Sequence, residues 1–379
     1  MTKKERIFAA LANQKIDRIP WTMYQSFPPW GSTELDYRNH GLSMIYQHFP
    51  VCTVHMPDVE VTEENKITLN EDGKGRQVIV RRFKTPVGEI SARHEFFNNS
   101  LPGPGDLIQK FGSDIDAEIL SWVTEFPFKS EADYEVLEFI YSNMKFKPTN
   151  EGYLFTEDMI GEEGVIFVSA GRTPFQMILY ELMGPNNCFL EHASNPDKFN
   201  SLYRLLYERQ KEKYKLAAKN PGKIIWSPDN ITGAMTPPKF FKEYVLPFYN
   251  EMADILHAED KYYGVHMDGL LDPIKDLIGE TKLDIIEAFT PPPMGDLSVA
   301  DALELWPEKI VWVNFPASVI ATGDRDKSKK YTIDLLKSVA PGDRVLIGCT
   351  ENYPLDKWEI GYGGVKDALK QYGSYPVKI

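Results

Sequence analysis

Tyr262-Tyr263-Gly264-Val265-His266-Met267-Asp268-Gly269 is the stretch whose reading decides the fold. An aromatic and β-branched run stops abruptly at an imidazole, a carboxylate and a glycine. A strand buried on both faces reads this way where it reaches the open edge of a parallel sheet. Working outwards, similar short apolar runs recur at Arg18–Tyr24, Val51–Met56, Gly164–Ser169, Lys223–Ser227, Asp284–Phe289, Ile310–Phe315 and Arg344–Cys349. With Tyr262–Met267 they make eight.

Helical patterns separate the later runs, at Pro237–Asp260, Leu271–Gly279, Val299–Trp306 and Lys327–Val339. Pro247 should kink the first of these or divide it in two, because proline has no N–H to give the preceding turn. Strand and helix alternating in this number predict an α/β fold closed as a (β/α)₈ barrel. The chain opens on a further helix, with Thr2-Lys3-Lys4-Glu5 as a capping box and Ile7, Phe8 and Leu11 on one face.

Residues 57–130 break the rhythm. Lys66–Asn70, Gln77–Phe83 and Gly88–Phe96 read as antiparallel strands, with turns at Glu71-Asp72-Gly73 and Pro86-Val87-Gly88. This predicts a single barrel domain over 1–379 with a β-hairpin insertion after the second strand. Asn99–Gly105 reads as a loop.

Composition sets the class. Against 42 Lys+Arg stand 55 Asp+Glu, a net charge of −13, which repels phosphate backbones and argues against nucleic acid. No apolar run approaches the ~18–20 residues that cross a bilayer, and Met1-Thr2-Lys3-Lys4-Glu5-Arg6 lacks a signal peptide's apolar core. Cys52, Cys188 and Cys349 are too few and too scattered for a disulfide framework, so a reducing cytoplasm is expected. A homodimer is compatible with all of this.

In a barrel of this kind the chemistry sits at the C-terminal strand ends. Here those ends carry Tyr24-Gln25, Ser227-Pro228-Asp229-Asn230, His266-Met267-Asp268-Gly269, Glu287, Asn314 and Cys349-Thr350-Glu351-Asn352. His266 and Asp268 stand two apart on extended backbone, so they point the same way across a gap that an ion could fill. Cys349 could close a nitrogen, oxygen and sulfur site suited to zinc. The competing readings are a satisfied core histidine and a small buried cysteine.

Glu287, inside Ile285-Ile286-Glu287-Ala288-Phe289, needs either a cation, a substrate or a neighbouring barrel residue as partner. Asp229 and Asn230 either enter the site or cap the following turn. Tyr24 and Gln25 are candidate substrate contacts, with Phe27–Trp30 as a lid. His55 and Asp58 follow the second run without recognisable spacing, and Cys52 and Cys188 read as structural.

The opening helix, Asp17-Arg18-Ile19-Pro20, Lys84-Thr85-Pro86-Val87-Gly88, His266-x-Asp268-Gly269 and Gly348-Cys349 together resemble the uroporphyrinogen decarboxylase superfamily. True decarboxylases of that family carry an Arg-rich loop after the first strand. Here Tyr24-Gln25-Ser26-Phe27-Pro28-Pro29-Trp30-Gly31 contains no arginine, which leaves decarboxylation as the alternative.

The other branch comprises corrinoid-dependent methyltransferases with zinc on a His-x-Cys pair and a distant cysteine. His266 and Cys349 match the outer ligands, and Asp268 stands where cysteine is usual. The resemblance therefore implies Zn²⁺ on His266, Asp268 and Cys349 as Lewis acid. Asp229 and Glu287 would be catalytic, and Tyr24, Gln25, Asn230 and Asn314 would contact substrate. The implied reaction is O-demethylation, methyl passing from a methoxylated, aromatic donor to the cob(I)alamin of a separate corrinoid protein. Transfer from a methylcorrinoid to a thiol or pterin is the other direction the branch allows.

Overall fold

The computed structural model describes residues 1–29, 31–69, 75–98 and 121–379. The chain folds as two compact units, the first made of 1–49, 150–169 and 217–379 and the second of 50–149 and 170–216.

The first unit is a (β/α)₈ barrel. Its strands are β1 (Trp21–Tyr24), β2 (Leu42–Pro50), β3 (Gly164–Ser169), β4 (Ile224–Ser227), β5 (Tyr262–His266), β6 (Ile285–Phe289), β7 (Ile310–Asn314) and β8 (Val345–Gly348). They close in that order, β8 returning to β1 through Trp21 opposite Ile347. Most strand residues are buried, since helices cover one face and packed side chains fill the other. Phe167 sits between Trp226 and Trp312, with ring centroids 5.9 and 5.2 Å away, and this aromatic layer plugs the interior.

One strand expectation is corrected. The second barrel strand is Leu42–Pro50, pairing in parallel with β1 from Trp21 opposite Leu42. Cys52–His55, inside the run expected for that role, instead pairs antiparallel with Lys145–Pro148 in the second unit. Burial explains the difference: Leu42 to Ile45 are all buried, whereas Thr53, Val54 and His55 are exposed. His55 and Asp58 therefore follow an outlying ribbon rather than a barrel strand.

The long helical pattern after β4 is divided, as Pro247 requires. A short turn at Pro238–Phe240 passes through a π-helical stretch, Phe241–Val245, into an α-helix at Leu246–His257. At the N-terminus, Thr2 and Glu5 exchange their capping-box bonds, at 3.1 and 2.8 Å, before the helix Lys3–Leu11. Among the described residues no helix is long and apolar enough to cross a membrane.

The second unit contains the antiparallel sheet Glu60–Leu69, Gly75–Thr85, Gly88–Asn98 and Ser121–Glu125. Pro86-Val87 forms a tight turn, Thr85 Oγ1 donating to the Gly88 carbonyl at 2.9 Å. The Glu71-Asp72-Gly73 turn, the Asn99–Gly105 loop and Trp30 lie outside the described residues. Helix Asp133–Asn143 packs against the strands Gly75–Thr85 and Gly88–Asn98, and helices Gly184–Ser194 and Pro196–Lys219 follow in the chain.

Candidate active site

β5 and β6 lie side by side, with His266 opposite Glu287 in the parallel register. A register shift between Ile286 and Phe289 marks a bulge on β6, where Ala288 takes the left-handed φ of 59°. Bulges redirect side chains at barrel rims, and a non-glycine residue in that region stores local strain. Here the bulge immediately follows Glu287.

Three donors converge on that one carboxylate. Tyr24 Oη, from the end of β1, donates to Glu287 Oε1 at 2.7 Å. Trp226 Nε1, from β4, donates to Oε2 at 2.9 Å, and His266 Nδ1 shares Oε2 at 2.8 Å. Glu287 is 1% exposed, so its charge is stabilised by these bonds rather than by water. Tyr24 Oη also approaches His266 Nδ1, at 3.4 Å. Burial and the neighbouring Glu287 hold the Tyr24 hydroxyl protonated, its pKa well above the usual phenol value.

The other nitrogen, His266 Nε2, stands 3.5 Å from Asp268 Oδ2. Burial alone would discharge this imidazole. The carboxylates of Glu287 and Asp268 outweigh it and push the His266 pKa up to about 10. At neutral pH the group is an imidazolium, clamped at Nδ1 and carrying its second proton on the side of the half-buried Asp268.

The β8 end supplies Cys349 and Glu351. Cys349 is 1% exposed, Tyr362 Oη donates to its sulfur, and burial pushes the thiol up to about 12. Glu351 has its pKa raised by burial and then by the charge of Asp268. Its Oε2 is buried without a hydrogen-bond partner among the described residues. Asn314, at the end of β7, is fixed between Thr290 Oγ1 and the Thr350 N–H, both at 3.1 Å.

The structure thus brings Tyr24, His266, Asp268 and Glu287 together. Asp229 is fully buried at the end of β4 and accepts from Tyr249 Oη at 2.7 Å. Asn230 is exposed with a φ of 50°, and Gln25 is tied by its backbone N–H to Ile45 O at 3.0 Å. Trp226, Tyr362 and Glu351 are additional members of the rim. Glu351 was visible at a strand end; Trp226 reads in sequence as one more apolar strand residue, and Tyr362 lies on the C-terminal helix Trp358–Tyr372.

Among the described residues no group of three or more His, Cys, Asp or Glu side chains is placed to hold a metal ion. Of the expected zinc ligands, His266 and Asp268 face each other, whereas the Cys349 sulfur accepts from Tyr362 Oη. As placed, this donor set does not fit a three-ligand ion. What it can do directly is hold and deliver a proton.

No protein-family model matches this sequence, and no curated protein matches it.

Proposed function

We propose that this chain is a methyltransferase that removes a methyl group from a methoxylated aromatic donor and passes it to the reduced cobalt of a separate corrinoid protein. One observation carries the reading: an imidazolium whose Nδ1 is fixed by Glu287 and Tyr24, leaving Nε2–H as the deliverable proton. The sequence resemblance described above supplies the acceptor.

An ether oxygen leaves poorly as an anion and well once protonated, so a positioned general acid is what such a cleavage needs. As the methyl carbon bonds to the acceptor, the C–O electron pair stays on oxygen. That oxygen takes the His266 proton and departs as a phenol, and solvent reprotonates the imidazole beside Asp268. Glu287 stabilises the cation before the transfer and again after reprotonation, and its bond to Nδ1 sets the ring orientation.

Charge favours a neutral donor. Asp268 and Glu287 both border the single imidazolium, so a polycarboxylate such as a porphyrinogen would be repelled. Phe27 packs against Tyr24 and Tyr353, with centroids 5.5 and 6.4 Å apart, giving an aromatic wall suited to a phenyl ring.

The test is anaerobic mixing of the purified protein with cob(I)alamin and 1,2-dimethoxybenzene, followed by the absorbance of methylcobalamin and by phenol release. Neutral ethers should react faster than methoxybenzoate. No methyl transfer across a panel of ethers and methylamines, or carbon dioxide release from a porphyrinogen, overturns the proposal.

A further inference from the structure

The second unit contains a cavity of about 490 Å³, within the size range of small-molecule sites. Its walls are mainly apolar, with Val61, Phe83 and Ile90 from the sheet facing Leu137, Ile140 and Leu206 from the helices. The charged groups in that lining are Arg81, Arg209 and Lys213 against Glu63 and Glu181, an excess of one cation in a chain of net charge −13.

The pairing identifies the odd cation. Arg81 spends its fork on Glu63, its cross-strand neighbour, with Nη2 and Nε at 2.7 and 3.1 Å from Oε2. Arg209 pairs with Glu212 at 2.8 Å and lies over the Phe146 ring, and Glu181 lies 3.5 Å from Arg172. Lys213 makes no ion pair within 4 Å among the described residues. Burial depresses its pKa against the opposing influence of Cys52 and Glu181, the mark of an ammonium short of compensating charge.

The backbone approaches it closely at Gly171, where φ is 88° and a Cβ would come to 3.0 Å of Lys213 Nζ. Next to Lys213, the buried Gln210 Oε1 and Arg209 Nε also lack hydrogen-bond partners among the described residues.

We propose that this cavity is a binding site for a monocarboxylate with an extended apolar body, the body lying among the aliphatic and aromatic walls and the carboxylate on Lys213. One negative charge matches one unmatched cation, and an apolar body matches the walls. The site lies wholly in the second unit and does not depend on the chemistry assigned to the barrel rim.

Isothermal titration of the full chain with decanoate and with decanol tests it. Decanoate should bind at one site per chain and at least tenfold more tightly than decanol. Lys213→Met should weaken decanoate at least tenfold and leave decanol unchanged, while Lys213→Arg should keep most of the decanoate affinity. Absence of saturable decanoate binding, equal affinity for acid and alcohol, or an unaltered Lys213→Met variant would each overturn the proposal. The wild-type comparison of acid with alcohol decides the matter even if the methionine variant does not fold.

Discussion

His266 Nδ1 lies 2.8 Å from Glu287 Oε2, the two residues sitting opposite each other on neighbouring parallel strands. Register makes them neighbours and the β6 bulge falls directly after Glu287, so backbone geometry builds the pair before any side chain is chosen. Its consequence is a buried imidazole that stays charged, and most of the properties expected of the rim follow from that charge.

Stability should fall as pH rises across the alkaline range. The folded pKa of His266, about 10, lies above the unfolded value of 6.5. Its contribution is therefore complete below the unfolded pKa and is lost as pH rises through the folded one. Urea denaturation at pH 6, 8 and 10 should show a progressive loss over that window. A stability curve that is flat, or that rises with pH, contradicts a charged His266.

Glu287→Gln should release the imidazole. Glutamine offers one acceptor oxygen where three donors now converge, and its amide would face some of those donors with a donor of its own. The cost should be about 1–3 kcal/mol of stability from buried groups left unpaired. In a ¹⁵N-imidazole NMR titration the His266 pKa should drop towards the ordinary histidine range. An unmoved titration would mean that Glu287 does not hold the charge.

How far this site was legible depends on which signal each residue carries. β3 to β8 stand out because strands buried on both faces are apolar almost throughout, and His266 and Glu287 interrupt that pattern with groups a core does not need. β2 was hidden: Leu42–Pro50 contains Ser43, Gln47 and His48, while Val51–Met56 next to it has a denser β-branched look. Trp226 was invisible as a site residue because an indole serves equally well as core. Its N–H matters only once β4 and β6 stand on either side of β5, which brings Nε1 within 2.9 Å of Glu287 Oε2. The Cys349–Tyr362 bond likewise joins a strand end to a helix through tertiary packing, which no local spacing encodes.

The three thiols should be silent in the native protein. Cys52, Cys188 and Cys349 are all buried, with Cys188 and Cys349 both pushed up to about 12 by burial. Reaction with a chromogenic disulfide at pH 8 should give well under one thiol per chain before denaturation and three after it. Rapid native modification mapped to Cys349 would show an exposed or activated thiolate there.

Gly269, which follows Asp268, has no room for a side chain. A Cβ at this position would fall 2.1 Å from Thr232 Cβ, so one of the two loops must shift. Gly269→Ala should cost about 1–3 kcal/mol, in line with other overpacked sites, and should displace Asp268 from His266 Nε2. Chemical denaturation reads the first effect and the His266 titration the second. A variant as stable as wild type would mean that the loop is looser than its contacts indicate.

The most direct measurement follows a ¹³C-methyl label from 1,2-dimethoxybenzene to cob(I)alamin by NMR, in wild type and His266→Gln side by side. A positioned general acid contributes about 10²–10⁴-fold. The label should therefore reach cobalt in the wild type and do so at least ~100-fold more slowly in the variant. Label that never leaves the ether in the wild type, or that moves equally fast in both proteins, would contradict the account.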